Sequence, residues 1–218
     1  MSDMAAGGFI LRSDQENSVQ IVADCLLGGG VCVLPTDTVY GFSGIVPHSK
    51  GNIQKIKGRD EGKPFIQLVS SPEDVFQYID VGIGENGVLG NRVPKNSTLQ
   101  ALFSLWPGAL TIILPVSRGC DAGSTAAFRC PGDNWLRQVI ARVGMPIYST
   151  SVNRSGQPVL SSIHDIKNEF GGEVDLIVDG GASVSPGALP STLVEILPES
   201  GCRILRQGSV KIPEKLLA

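Results

Sequence analysis

The sequence predicts an α+β fold, one mixed parallel and antiparallel sheet with helices against it. Three observations carry this. Segments with helical apolar spacing alternate with short apolar runs along the whole chain, but irregularly. Consecutive strand segments meet across turn sequences in places, which calls for antiparallel hairpins beside any parallel pairs. No internal repeat, charge run or linker divides the 218 residues. Residues 1–218 therefore read as a single domain, with 1–12 as an N-terminal extension and 211–218 as a C-terminal tail.

Ser13 to Glu16 has the form of a capping box, with Ser13 at the N-cap and Glu16 at N3. Val19, Val22 and Leu26 continue it as a helical stripe, and Gly28–Gly30 stops it. Val31–Leu34 is a buried strand, ended by Pro35, which cannot donate to a ladder. The polar loop Pro35–Gly41 follows. Ser49–Ile56 is a short helix ending at Gly58, and Phe65–Val69 is a strand. Ser71 starts a helix with Pro72 at N1. Gly82–Asn96 reads as loop, and Ser97 opens a helix through Trp106.

Ala109–Leu114 and Thr125–Cys130 form a hairpin. Asp133 caps a helix bearing Leu136, Val139, Ile140 and Val143, closed by Gly144. Pro146–Tyr148 is a strand running into Ser149–Asn153. A helix near Ser162–Phe170 precedes the strand Asp175–Val178. Gly180–Pro190 is a loop, and Thr192–Leu197 with Cys202–Leu205 make a final strand pair.

Composition excludes several function classes. Hydrophobic content of 42% with 18% charged residues suits a globular chain that buries a core. A net charge of −3 provides no global field toward nucleic acid or anionic membrane. No apolar run approaches the ~20 residues of a transmembrane helix, and Met1–Gln20 has the form of neither a secretory signal nor a transit peptide. The five cysteines are widely spaced without a C-x-x-C, which fits reduced thiols and a cytoplasmic setting. With only His48 and His164, a His-rich metal site is not available.

Five segments hold candidate chemistry. Lys57 and Arg59 flank Gly58 and share a face if the segment is extended, because the side-chain period is two. With Lys55 and Lys63 they suit a polyphosphate, or else a solvated helix end. Ser149, Thr150, Ser151 and Asn153 stack hydroxyls and an amide after a strand, suited to phosphate or magnesium, or to a turn satisfying its own backbone. Arg129 lies in an apolar strand and needs a carboxylate or phosphate, either a ligand's or that of Asp37, Asp133 or Asp179. Ser191–Thr192 and Leu205–Gly208 sit at strand boundaries. No Walker A or G-x-G-x-x-G motif is present.

Seven segments in order resemble the YrdC/Sua5 family of threonylcarbamoyl-AMP synthases. They are Pro35–Gly41, Ile56–Arg59 with Lys63–Pro64, Trp106–Thr111, Phe128–Pro131, Ser149–Asn153 with Ser155–Gly156, Ser191–Thr192, and Ile204–Gly208. The resemblance implies a three-layer YrdC-like fold with a concave central cleft, in the short form without a further C-terminal domain. It implies a nucleotidyltransferase that joins L-threonine, bicarbonate and ATP into L-threonylcarbamoyl-AMP and pyrophosphate. That product feeds the N6-threonylcarbamoyl modification of adenosine 37 in tRNA.

By the same resemblance, Lys57, Arg59, Ser151 and Asn153 form the catalytic group and hold the triphosphate. Lys63, Thr125 and Arg206 add contacts on the nucleotide side. L-threonine falls to Thr36, Thr38, Tyr40, Leu68, Arg129, Ser149 and Ser191, with Arg129 clamping its carboxylate. Mg2+ comes with the phosphates and has no dedicated protein site. The implied partners are the small substrates, a transferase machinery that takes the product, and weak tRNA contact, with no membrane. The alternative is an RNA-binding module of the translation machinery without nucleotidyl transfer, against which the net charge of −3 speaks.

Overall fold

The computed structural model describes residues 9–59, 64–79, 97–116, 125–181, 187–197 and 201–218. Its strands are β1 (Phe9–Arg12), β2 (Cys32–Leu34), β3 (Gly41–Ile45), β4 (Ile66–Leu68), β5 (Leu110–Pro115), β6 (Thr125–Arg129), β7 (Ile147–Ser151), β8 (Leu176–Asp179), β9 (Thr192–Ile196) and β10 (Cys202–Arg206). Its helices are α1 (Ser18–Leu27), α2 (Lys50–Lys57), α3 (Ser97–Phe103), α4 (Asn134–Val143) and α5 (Ile163–Phe170). All ten strands join one sheet in the order β1-β8-β2-β3-β7-β4-β6-β5-β9-β10. Pairings are mixed: β5 lies antiparallel to β6 but parallel to β9, and β4 lies antiparallel to β7 but parallel to β6.

Both faces of this sheet are used. On one face α1 and α4 pack over Cys32, Leu34, Leu68, Ile147 and Leu176. On the other, α2 and α5 bury Val33, Phe42, Tyr148 and Ile177. That second face continues over β5, β6 and β9 as a core of Leu110, Ile112, Phe128 and Val194 with α3 and Trp106. The first face is different: α1 and α4 cover the β1 end, and β6, β5, β9 and β10 place no side chain of that face in their core. A sheet face left open in this way is a natural floor for a ligand.

Several local expectations are corrected. The helix does not start on a Ser13 capping box: α1 begins five residues later, with Asn17 at its N-cap in the left-handed region (φ 60) and no side-chain cap. Ser13 is instead held by the sheet, its N–H donating to Asp179 O (3.0 Å), while its carbonyl accepts from the Ser18 hydroxyl (2.7 Å). The supposed extension contributes β1, which pairs in parallel with β8. The C-terminal tail also packs, with Ile212 and Leu216 buried against the second face. Residues 72–77 form a 3-10 turn where a helix was expected, still capped reciprocally by Ser71 and Asp74. The Gly82–Asn96 segment lies outside the described residues.

β3 has no counterpart in the sequence reading, since Gly41 and Gly44 interrupt its apolar pattern. Both glycines are there for close approach: a Cβ on Gly44 would lie 2.4 Å from Ser49 Cβ, and one on Gly41 2.7 Å from Ser149 Oγ. The hairpins β5–β6 and β9–β10 form as the sequence suggests, the second with a register shift between Ile204 and Arg206.

After that bulge, Gly208 sits against the start of β9. Its added Cβ would lie 2.2 Å from Pro190 O and 2.5 Å from Thr192 N, both backbone atoms that cannot swing aside. Gly208→Ala should therefore cost about 1–3 kcal/mol, as overpacking does. Gly51→Ala, in α2 with nothing within 4 Å of the new methyl, should be neutral or slightly stabilising. Urea midpoints of the two variants should fall on opposite sides of, or at, the parent value, and equal midpoints would contradict the packing described.

Candidate active site

The open half of the first face is a cleft of about 370 Å3. Strand register builds its floor. Ser149 of β7 stands opposite Ile66 of β4, Ile66 opposite Ala127 of β6, and Ala127 opposite Ile113 of β5. Leu193 of β9 stands opposite Arg206 of β10. All of these line the cleft, with Gly41, Ser151 and Arg129 on the same parity. No acidic side chain is among the described residues that line it, while Arg59, Arg129 and Arg206 are. A cleft with this charge suits an anionic ligand.

Arg59 stands at one end. Gly58 ends α2 in the left-handed region (φ 58), which turns the chain so that Lys57 and Arg59 diverge. The Arg59 guanidinium donates to Thr150 Oγ1 (3.2 Å) and Pro64 O (3.1 Å) and lies over the Phe65 ring. Its Nε is buried without a partner. Burial pushes its pKa down, and no carboxylate of the described residues offsets this. An anion would gain the free N–H and remove the desolvation cost together.

Arg129 stands in the middle and has an internal partner, one of the three acids considered. Its guanidinium donates to Asp37 Oδ1 (2.5 Å), Thr38 Oγ1 (2.9 Å) and Gly108 O (3.0 Å). The direction of the next bonds follows from proton count. The Thr36 hydroxyl donates to Val39 O (2.7 Å), so Thr38 must donate the proton it shares with Thr36 (2.9 Å). Thr38 Oγ1 is thereby the acceptor that faces Arg129. Thr36 and Thr38 are buried members of a self-satisfied turn as well as cleft residues.

Arg206 closes the far end. It donates to Ser191 O (3.0 Å) and Ser191 Oγ (3.2 Å), and Ser191 shares a 2.7 Å hydrogen bond with buried Thr111. Burial, and then the nearby Arg129 charge, lower the Arg206 pKa. Tyr40 also lines the cleft, and its hydroxyl accepts from Gly180 N (3.1 Å). Ser149 lines the cleft as well.

Other residues from the sequence reading stand elsewhere. Lys57 is only 2% exposed and does not line the cleft. Its ammonium donates to Ser151 O (2.5 Å), Asn153 O (3.0 Å) and Asn153 Oδ1 (2.9 Å). All three protons are thus committed to the end of β7. Asn153 is likewise saturated: Oδ1 also accepts from Ser151 Oγ (2.7 Å), and its amide donates to Arg154 O and Gln157 O. Lys57, Ser151 and Asn153 do converge, but as a brace below the cleft. Only Arg59 and Ser151 of the expected four reach its lining.

Leu68 shares the parity of the floor yet lies under α4, 1% exposed, in the apolar core. Thr125 is exposed at the start of β6 and does not line the cleft. Lys63 lies outside the described residues, as do 182–186 of the Gly180–Pro190 loop. Sequence reasoning missed Thr111, the Ser191 anchor, although its position in a segment ending at a strand start was a usable signal.

The Sua5/YciO/YrdC family model, described as "Telomere recombination", matches residues 24–208. A threonylcarbamoyl-AMP synthase of Pyrococcus abyssi is 29% identical over 207 residues, covering 92% of this chain and 56% of that protein. The crystal structure of P. abyssi Sua5 complexed with L-threonine superposes with a TM-score of 0.75 at 27% identity, over 92% of this chain and 57% of that one. E. coli YciO shares the fold over the whole of both chains, with a TM-score of 0.77 and 21% identity. The chain thus spans little more than half the length of the Pyrococcus relative it matches.

The Lys57 brace has a pH signature. Burial, with a smaller push from Arg59, lowers the Lys57 ammonium from 10.5 to about 8. Between those values the unfolded chain keeps a proton that the folded chain has lost, so raising the pH favours the fold. Stability should climb across that window in the parent protein and not in Lys57→Met. Urea midpoints of the two proteins over the same pH series check this, and parallel profiles would contradict it.

Proposed function

The chain belongs to the Sua5/YciO/YrdC family, and from that premise we propose that it is an L-threonylcarbamoyl-AMP synthase. The observation that supports this best is the cleft that holds three arginines and no acid among its described lining residues. Threonine and bicarbonate condense to a carbamate with loss of water. A carbamate oxygen then attacks the α-phosphorus of ATP, and pyrophosphate leaves with the electron pair of the broken P–O bond. Such a reaction rests on positioning and charge neutralisation, not on a protein nucleophile.

Arg59 is the phosphate ligand, because its free Nε and uncompensated charge lie at the cleft wall. Arg206 supplies positive charge at the far end for the rest of the nucleotide. Arg129 takes the threonine carboxylate, with Asp37 yielding one guanidinium N–H and Thr38 holding the guanidinium in place. Ser149, Ser151 and Ser191 give hydroxyls between the two, and Tyr40 walls the cleft. Lys57 and Asn153 act by holding Ser151 in place.

Mg2+ arrives on the triphosphate, where it draws charge from the phosphate oxygens. The product passes to the machinery that modifies tRNA in the cytoplasm. No described helix is long and apolar enough to cross a membrane.

The reading is tested by steady-state pyrophosphate release with each substrate varied in turn. Release should require threonine and bicarbonate together; equal release with serine, alanine or no amino acid would overturn it. Arg59→Ala should lower turnover on the order of a hundredfold, the usual cost of one preorganised charge contact. Arg129→Ala should raise the threonine KM about tenfold or more while the ATP KM stays within about twofold, as loss of one charge-assisted contact implies. The opposite split would reassign the two ends of the cleft.

A further inference from the structure

Away from the cleft, two sulfurs meet beneath α1. Cys25 of α1 and Cys32 of β2 lie with their Sγ atoms 3.5 Å apart, Cys32 donating its S–H to Cys25. They are joined by the short Gly28–Gly30 connection, in which Gly29 takes φ +87. Gly30 makes the contact possible: a Cβ there would lie 2.8 Å from Cys25 Sγ. Cys25 is half-buried and Cys32 fully buried. The other described cysteines, Cys130 and Cys202, are buried in the separate core under β5 and β6.

We infer that Cys25 and Cys32 are a reactive dithiol that a hydroperoxide converts to an intramolecular disulfide. The partly exposed Cys25 sulfur attacks the terminal peroxide oxygen, the O–O bond breaks, and the leaving oxygen takes up the Cys25 thiol proton, departing as water from hydrogen peroxide or as an alcohol from an organic hydroperoxide. Cys25 is then a sulfenic acid. The buried Cys32 sulfur attacks the Cys25 sulfur, an S–S bond forms, and the second oxygen leaves as water with the thiol proton. Two thiols are oxidised and one peroxide is reduced. The sulfurs need to close only from contact to the ~2.05 Å of a bond.

The surroundings assign the roles. The S–H bond from Cys32 lowers the Cys25 pKa, against burial and the nearby Asp175 carboxylate. The same bond, burial and carboxylate raise the Cys32 pKa. Cys25 therefore reacts first and Cys32 resolves it.

The fragment 13–50 makes the test clean. Lys and Arg are absent between Arg12 and Lys50, so trypsin releases both cysteines in one peptide with no other cysteine. Full-length protein is freed of reductant, exposed to hydrogen peroxide, alkylated and digested. The peptide should carry neither alkyl group and weigh two hydrogen atoms less than the reduced dithiol, and should take up both alkyl groups after dithiothreitol and renewed alkylation. Cys130 and Cys202 should stay alkylated under the same exposure. In Cys32→Ser, dimedone should label Cys25; in Cys25→Ser, peptide 13–50 should remain alkylated at Cys32. If parent peptide 13–50 stays doubly alkylated while other cysteines oxidise, or if its cysteines link to a second chain, the inference fails.

Discussion

A shared register across the sheet is the constraint on which the rest depends. Along β6 the cleft floor alternates with the buried back face: Ala127 and Arg129 look into the cleft while Phe128 between them is fully buried. A slip of one residue in any strand would exchange the two sets. Arg129 would then face the apolar core, where an unpaired guanidinium is costly. The aromatic and aliphatic side chains of the back face thus hold the polar floor in place.

Three cations near this floor find their partners within the protein, each in a different way. Arg129 meets Asp37 across 2.5 Å, with side chains 5% and 21% exposed. Lys57 has no carboxylate and is satisfied by three oxygens at the end of β7. Arg154, next to Asn153, reaches the α2 carbonyl of Ile56 and the carboxylates of Glu169 in α5 and Glu173 just after it. Together these tie α2, α5 and β7 into one support. Arg59 lines the cleft with its bonding incomplete, and that is the property expected of a group that awaits a ligand.

Much of this was legible in the sequence. Apolar runs gave away β2, β5, β6 and β8, and Asp133 and Gly144 bracket α4 as their capping chemistry requires. What escaped was set by tertiary contact. β3 carries two glycines because neighbouring serines crowd it, which no local pattern reveals. The Ser13 box was overridden when its N–H joined the sheet through Asp179. The Lys57–Arg59 pair was read as co-facing from a period of two, but Gly58 is left-handed and separates them. Arg129 was correctly seen to need a partner; which acid it would find depends on a loop approaching from 92 residues away.

On the proposed function, one cleft joins the amino-acid carbamate to the α-phosphate of ATP. Mass spectrometry of the nucleotide product from 13C-bicarbonate, 15N-threonine and ATP tests it most directly. The account predicts an adenylate carrying both labels, formed in step with pyrophosphate. AMP or ADP accumulating without either label, or an adenylate that lacks the bicarbonate carbon, would contradict it.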